Sequence, residues 1–143
     1  MAGKLVIPRH FLSIPYNAEI YPGIPHPADL ATGANCQVFA YAILAHFGIA
    51  FPPLRSSELW SDTQHTSAVS DLEPLDLLLF APTHDAYGAH VALHVGEGHA
   101  IHLSRAVGKP AIWPLDTFAT HEKYRVFVGA KRPKRSPSFP RRL

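Results

Sequence analysis

The chain has 143 residues, one cysteine and a formal net charge of +2 at pH 7. A chain of this length can form one domain that buries about two-thirds of its unfolded surface, so it needs no cross-link for stability. A single cysteine also excludes an intramolecular disulfide framework and a zinc site built from several thiolates.

The two ends of the sequence suggest where the protein is found. The longest apolar run before Pro8 has three residues, far fewer than a signal-peptide core needs, and no later stretch is long enough to span a membrane. We therefore expect a cytoplasmic location without a transmembrane segment, unless a specialised secretion system or a phage exports the protein. Residues 133–143 are basic and rich in proline, and we expect a disordered tail without a specific nucleic-acid partner after a domain at 1–132.

The first predicted element is an irregular segment that leads into a buried helix. Residues 14–33 are rich in proline and glycine, which favours irregular structure. Asn35 is a favourable N-cap, apolar residues recur at helical spacing as far as Phe47, and Gly48 supplies a stop. The pattern predicts a helix that begins near Cys36.

A second helix and several antiparallel strands are predicted after the buried helix. They are a short helix at 57–60 and strands at 75–80, 90–95, 99–104, 111–113 and 124–130. Residues 61–72 are predicted to form a polar loop, and Gly96-Glu97-Gly98 is typical of a hairpin turn. This order indicates an α+β fold with an antiparallel sheet of about five to six strands.

Cys36 is a candidate nucleophile. At the first position of a helix, unpaired backbone N–H groups and the helix dipole favour the thiolate over the thiol. The alternative is an unreactive cysteine that packs as a small apolar residue. We favour the reactive role because Cys36 is the single cysteine and follows a glycine-containing loop at a helix start.

A cysteine nucleophile needs a base and a third group that orients the base, and two histidines of the hairpin are candidates. If Gly96-Glu97-Gly98 is a three-residue loop, Ala92 lies opposite His102 and His90 lies opposite Ser104. His90 and His102 are then diagonal neighbours on one face, close enough for a hydrogen bond between their rings. A two-residue loop would place them on opposite faces.

The histidines also allow other roles. One alternative is that His90 and His102 are each an ordinary strand histidine. Another is that His90, His94 and His102 together bind zinc or copper. The sequence lacks an HExxH-type spacing and a clear carboxylate partner, so we expect no metal and no cofactor.

Four segments resemble the NlpC-type cell-wall endopeptidase family, a branch of the papain-like cysteine peptidase superfamily. GANCQVFAYAILAHFGI resembles its nucleophile helix, LEPLDLLLF a strand, AHVALHVGEGHAIHLS its histidine hairpin and YRVFVGAKR its closing strand. Order and spacing agree over roughly residues 14–132. The resemblance implies a papain-like fold in which the nucleophile helix packs on the antiparallel sheet.

The resemblance implies a role for several individual residues. Cys36 corresponds to the catalytic cysteine, His90 to the general base and His102 to the third polar residue of the triad. Tyr16 resembles a tyrosine that lines the family's active site, although Tyr21 is closer to the usual spacing.

The resemblance also places Asn35 and Gln37 among the substrate-binding residues. They flank the nucleophile where the family has aspartate and serine, and Val38 is a further departure. The sequence therefore supports the catalytic machinery better than it supports the identity of the substrate.

The activity implied by the resemblance is hydrolysis of an amide bond in peptidoglycan stem peptides, between γ-D-glutamate and diaminopimelate. An amidase or acyltransferase with another substrate and an inactive binding domain are the alternatives. We expect a monomer that serves as a toxin, a lysin or a recycling enzyme, and a toxin would have an immunity or inhibitor protein as its partner.

Overall fold

A six-stranded antiparallel sheet organises the computed structural model, which describes residues 4–135. The strands are β1 (Thr66–Val69), β2 (Leu77–Ala81), β3 (His90–Gly96), β4 (His99–Leu103), β5 (Pro110–Pro114) and β6 (Val126–Pro133). Their order across the sheet is β1-β6-β2-β3-β4-β5. The helices are α1 (Cys36–His46), α2 (Ser56–Ser61) and α3 (Leu115–Phe118), with 3-10 turns at Arg9–Ser13 and Glu122–Tyr124. Within residues 4–135, no helix has the length and apolar character needed to cross a membrane.

Helix α1 begins at the residue that the sequence predicts. The Asn35 side chain accepts a hydrogen bond from the Val38 N–H at 2.9 Å, which satisfies one of the unpaired donors of the first turn. The helix packs on β3 and β4. The fully buried residues of this core include Phe39, Ile43 and Leu44 from α1 and Val91 and Leu93 from β3. Burial of this apolar face fixes the helix, and with it Cys36, on the sheet.

A second, smaller core lies on the other face of the sheet. Because side chains alternate along a strand, Ala92 of β3 and Ala100 of β4 face away from α1. They pack with Leu78, Phe80, Phe118, Tyr124 and Ala130, while Trp113 and Leu115 lie around the edge. His90 and His102 share the alternation of these alanines, so both histidines lie on this second face.

The β3–β4 hairpin has the predicted register but a different turn. Its pairs include Leu93 with Ile101, His94 with Ala100 and Gly96 with His99. The turn contains only Glu97 and Gly98, both with positive φ. A bulge at Val95 adds one residue to β3 and restores the register. The expectation that a two-residue turn would separate His90 from His102 is therefore wrong.

Other differences from the predicted elements lie in the edge strand and at the C-terminal end. The predicted polar loop at 61–72 contains β1, an edge strand without the apolar alternation that marks a half-buried strand. β6 continues to Pro133, which pairs with Thr66, and the Lys134 N–H donates to the His65 carbonyl at 2.8 Å. β6 thus runs one residue past the predicted domain end at 132, and the division into a domain and a tail stays a prediction, because residues 136–143 lie outside the described residues.

Gly33 holds the loop that enters α1. Its φ is +99°, and a Cβ at this position would lie 2.7 Å from the Pro15 carbonyl oxygen and 2.8 Å from the Asn17 Cβ. The neighbouring Ala34 pairs with Tyr16 in a parallel bridge. A side chain at position 33 would therefore push apart two segments that position the start of the helix.

We predict that Gly33→Ala lowers the free energy of unfolding by about 2–4 kcal/mol, from backbone strain together with a steric clash. Gly23→Ala is the matched control, because Gly23 has a φ of +98° and open space around its Cβ position. This control should lose about 1 kcal/mol. Urea denaturation measures both values, and equal losses would show that the clash at position 33 is relieved.

Candidate active site

Cys36 lies where the first turn of α1 meets the beginning of β3. Its Sγ accepts a hydrogen bond from the Val91 N–H at 3.5 Å, and the side chain is partly exposed to a cleft of about 280 Å³. Burial raises the pKa of the Cys36 thiol to about 11, although the backbone N–H groups of Val91, Cys36 and Gln37 act to lower it. The N–H groups of the helix start therefore act in the direction that the sequence predicts, but burial acts in the opposite direction and is the larger effect.

His90 and His102 form a direct pair on the second face of the sheet. His90 Nε2 lies 2.9 Å from His102 Nδ1, and the two rings are nearly perpendicular, at 85°. Burial lowers the pKa of His90 well below 6.5, and the neighbouring His102 contributes to this shift. Burial, with a contribution from His121, lowers the pKa of His102 to about 4. Both imidazoles are therefore neutral at pH 7.

Three aromatic residues that the sequence analysis did not select enclose this pair. The Tyr124 ring stacks on His90 with centroids 4.4 Å apart. The centroids of Trp113 and Phe118 lie 4.1 and 4.7 Å from that of His102. These residues come from β5, α3 and the last 3-10 turn, so neither spacing nor motif connects them with the hairpin.

The residues that line the cleft include all three predicted substrate-binding residues. The lining consists of Tyr16, Asn35, Cys36, Gln37, Arg55, Ser56, Ser57, Tyr87, Gly88 and Ala89. Within the described part of the chain, Arg55 is the single charged residue of this lining. The sequence does not indicate that α2 and the segment before β3 contribute to the cleft, because neither segment carries a catalytic motif.

Hydrogen bonds already engage the polar groups of two predicted substrate-binding residues. Asn35 uses its carbonyl oxygen as the N-cap and donates from Nδ2 to Gln37 Oε1 at 3.3 Å. Gln37 Nε2 donates to Ser56 Oγ at 2.5 Å. Tyr16 lies at the cleft with the Arg105 guanidinium 5.8 Å from its ring centroid. A role for these residues in substrate binding remains a prediction.

His94 does not join the other two histidines in a metal site. It is buried on β3, and its Nδ1 has no hydrogen-bond partner among residues 4–135. Among the same residues, no three histidine, cysteine or acidic side chains are grouped in a way that could hold a metal ion. The alternative of zinc or copper bound by His90, His94 and His102 gains no support from the geometry.

The fold and this arrangement define a papain-like α+β domain with a cysteine at the start of a buried helix and two paired histidines on adjacent strands. No protein-family model matches the sequence. The chain is 33% identical over 131 residues to the gamma-D-glutamyl-L-lysine dipeptidyl-peptidase of Bacillus cereus (strain ATCC 10987 / NRS 248), an alignment that covers 87% of the chain and 34% of that protein.

A solved structure gives the same family. The crystal structure of an NlpC/P60 family protein from Bacillus cereus ATCC 10987 matches with a TM-score of 0.53 and 30% identity, over 71% of this chain and 32% of that chain. Both likenesses support the NlpC-type family and confirm the α+β fold class predicted from the sequence. It spans about one third of the length of the relatives it matches.

The raised pKa of Cys36 gives a direct test of its electrostatic surroundings. Alkylation by iodoacetamide requires the thiolate, so we predict slow labelling at pH 7. The labelling rate should continue to rise at pH values above about 8.5, the pKa of an ordinary cysteine. Mass spectrometry can follow the reaction because the chain has a single cysteine. The protein unfolded in urea is the control, and labelling of the folded protein with a midpoint below pH 8.5 would contradict the prediction.

Proposed function

We propose that this domain is a cysteine hydrolase that cleaves amide bonds with Cys36 as nucleophile, His90 as base and His102 as the residue that orients His90. The observation that carries the proposal is the placement of Cys36 at the first peptide of β3 together with the 2.9 Å contact between His90 Nε2 and His102 Nδ1. A nucleophile, a base and an orienting group are the three parts that this chemistry requires.

The histidine pair determines which nitrogen of His90 is available as the base. When both rings are neutral, one nitrogen of the contact must donate and the other must accept. If His90 Nε2–H donates to His102 Nδ1, the lone pair of His90 lies on Nδ1 and can take the thiol proton. His102 then carries its own proton on Nε2, which has no hydrogen-bond partner within residues 4–135. The neighbouring rings of Trp113 and Phe118 are weak acceptors suited to such an N–H group.

The proposed reaction begins from a neutral thiol and a neutral imidazole. As Cys36 Sγ attacks the carbonyl carbon of the amide, its proton passes to His90 Nδ1, and the backbone N–H of Cys36 stabilises the oxyanion. One such donor is worth about 3–4 kcal/mol in related chemistry. The C–N bond then breaks, and His90 gives its proton to the leaving amine. Water deprotonated by His90 hydrolyses the thioester and regenerates the thiol.

The proposed substrate is an amide bond in a peptidoglycan stem peptide, between γ-D-glutamate and diaminopimelate. The name of the B. cereus relative, which specifies a γ-D-glutamyl-L-lysine bond, supports a γ-D-glutamyl substrate. A different amide or thioester substrate is the second candidate. Gln37 is expected from the sequence to bind the stem peptide, but its amide is engaged in a hydrogen bond to Ser56. Chromatography of a panel of γ-D-glutamyl tripeptides and unrelated amides distinguishes the two substrate classes.

Substitution of the three proposed catalytic residues tests the mechanism. We predict that Cys36→Ala and His90→Ala each lower the turnover of a γ-D-glutamyl peptide by at least about 10³-fold, because nucleophile and base act as a unit. His102→Ala should cost less, because His102 orients the base and does not react. His99→Ala, on the same hairpin, is the control. Substantial turnover by either of the first two variants, in protein free of other hydrolases, would refute the assignment.

The pKa of His90 predicts the acid limit of activity. Protonated His90 cannot accept the thiol proton, so activity rises with pH through the pKa of His90 and is complete above it. Because this pKa is lowered well below 6.5, we predict full kcat/KM at pH 6.5. His102→Ala removes one cause of the lowered pKa, so its acid limb should move to higher pH. A wild-type limb centred at pH 6.5 or above would contradict the neutral resting state.

A further inference from the structure

Two buried polar side chains connect α1, α2 and the segment before β3. Gln37 is 6% exposed and Ser56 is 3% exposed. Gln37 Nε2 lies 2.5 Å from Ser56 Oγ, which in turn lies 2.5 Å from the Ala89 carbonyl oxygen. Both side chains are buried although they border the cleft, so breaking either bond would leave a largely desolvated polar group without its partner.

The chemistry of the groups fixes the direction of each hydrogen bond. An amide nitrogen can only donate, so Ser56 Oγ accepts from Gln37. A carbonyl oxygen can only accept, so Ser56 uses its one hydroxyl proton to donate to Ala89. Gln37 Oε1 accepts from Asn35 Nδ2, which links the chain to the N-cap of α1. The direction of every hydrogen bond in this chain is therefore fixed, and one set of donors and acceptors satisfies the polar groups that take part.

The two ends of this hydrogen-bonded chain adjoin the two proposed reacting residues. Gln37 directly follows Cys36, and Ala89 directly precedes His90. The helix that carries the nucleophile is therefore tied through Ser56 to the backbone of the strand that carries the base. The other polar contact between these segments is the hydrogen bond from the Val91 N–H to Cys36 Sγ, which is longer, at 3.5 Å.

We propose that Gln37 and Ser56 are positioning residues, which hold the start of α1 against the start of β3 and so set the approach of Cys36 to His90. This proposal rests on the proposed function for its catalytic consequence. It also gives Gln37 a different role from the predicted substrate contact, because its Nε2 donates to the buried Ser56 Oγ. Misplacement of reacting groups by about 1 Å can cost about 10²-fold in rate, so a link of this kind is sufficient to affect turnover.

Three substitutions test the link by activity. Gln37→Met keeps the length of the side chain and removes both its donor to Ser56 and its acceptor for Asn35. Ser56→Ala removes the hydroxyl, and Ser56→Thr keeps it. We expect Gln37→Met and Ser56→Ala each to lower kcat about 10–100-fold with KM within about twofold, and Ser56→Thr to remain near wild type. The double variant should be little worse than either single one, because both break the same chain. Gln64→Met, at an exposed position, is the control.

The amide signal of Val91 in an ¹H–¹⁵N spectrum gives a readout that does not depend on activity. Cys36→Ala removes the acceptor of this N–H and defines the shift of the broken contact. In Gln37→Met and Ser56→Ala, the Val91 signal should move toward that shift, while Ser56→Thr should not move it. If the signal moves but no amide substrate is cleaved by wild type, the positioning link stands and the proposed function fails.

Two results would overturn the positioning role. A raised KM with unchanged kcat in Gln37→Met would make Gln37 a substrate-binding residue. An unmoved Val91 signal with unchanged kcat in folded Ser56→Ala would show that the link does not set the geometry. Thermal unfolding establishes that each variant is folded. Ser56→Ala and Ser56→Thr leave the sequence of α1 unaltered, so they still test the proposal if Gln37→Met does not fold.

Discussion

The contact between the start of α1 and the start of β3 is the constraint on which the remaining features of the site depend. Apolar burial holds the helix on β3 and β4, and the hydrogen bond from the Val91 N–H places the Cys36 thiol at the first peptide of β3. The histidine pair is on the same strand and its neighbour, so its position relative to Cys36 follows from the docking of one helix. The cleft forms where α2 and the segment before β3 close around that junction.

Burial also explains the electrostatic character of the site. Removal of water disfavours the charged form of each group, which raises the pKa of Cys36 and lowers the pKa of His90 and His102. A helix N-terminus alone would favour the thiolate, but here its effect is smaller than that of desolvation. Cys36, His90 and His102 are therefore uncharged at rest, and charge separates between them only while the proposed reaction takes place.

The elements that the sequence predicts well are those with strong local signals. The cap at Asn35 fixes the start of α1, and apolar runs identify β2, β3 and β4. The register of the hairpin is also correct, but the prediction assumed a longer turn and missed the bulge, because residue types alone do not reveal one extra residue in a strand. The sequence does not predict β1, because an edge strand buries few side chains and needs no alternation of apolar and polar residues.

The enclosure of the histidine pair illustrates why part of the site could not be predicted. Trp113, Phe118 and Tyr124 reach His90 and His102 because β5 pairs beside β4 and because α3 and the last 3-10 turn lie against the second face of the sheet. The Gln37 and Ser56 link has a similar origin, since it joins side chains 19 residues apart. Such contacts depend on tertiary packing, and no local spacing specifies them.

The position of β6 has a consequence for how the domain is assembled. This strand is the last in sequence among the described elements, yet it lies inside the sheet between β1 and β2. Until β6 is in place, β1 has no neighbour and β2 has an unpaired edge. This edge belongs to a strand of apolar residues that are buried in the complete sheet, Leu77, Leu78, Leu79 and Phe80. A nascent or truncated chain that ends before residue 126 would thus expose an aggregation-prone strand edge, and the β2 edge is closed to other chains only when β6 pairs with it.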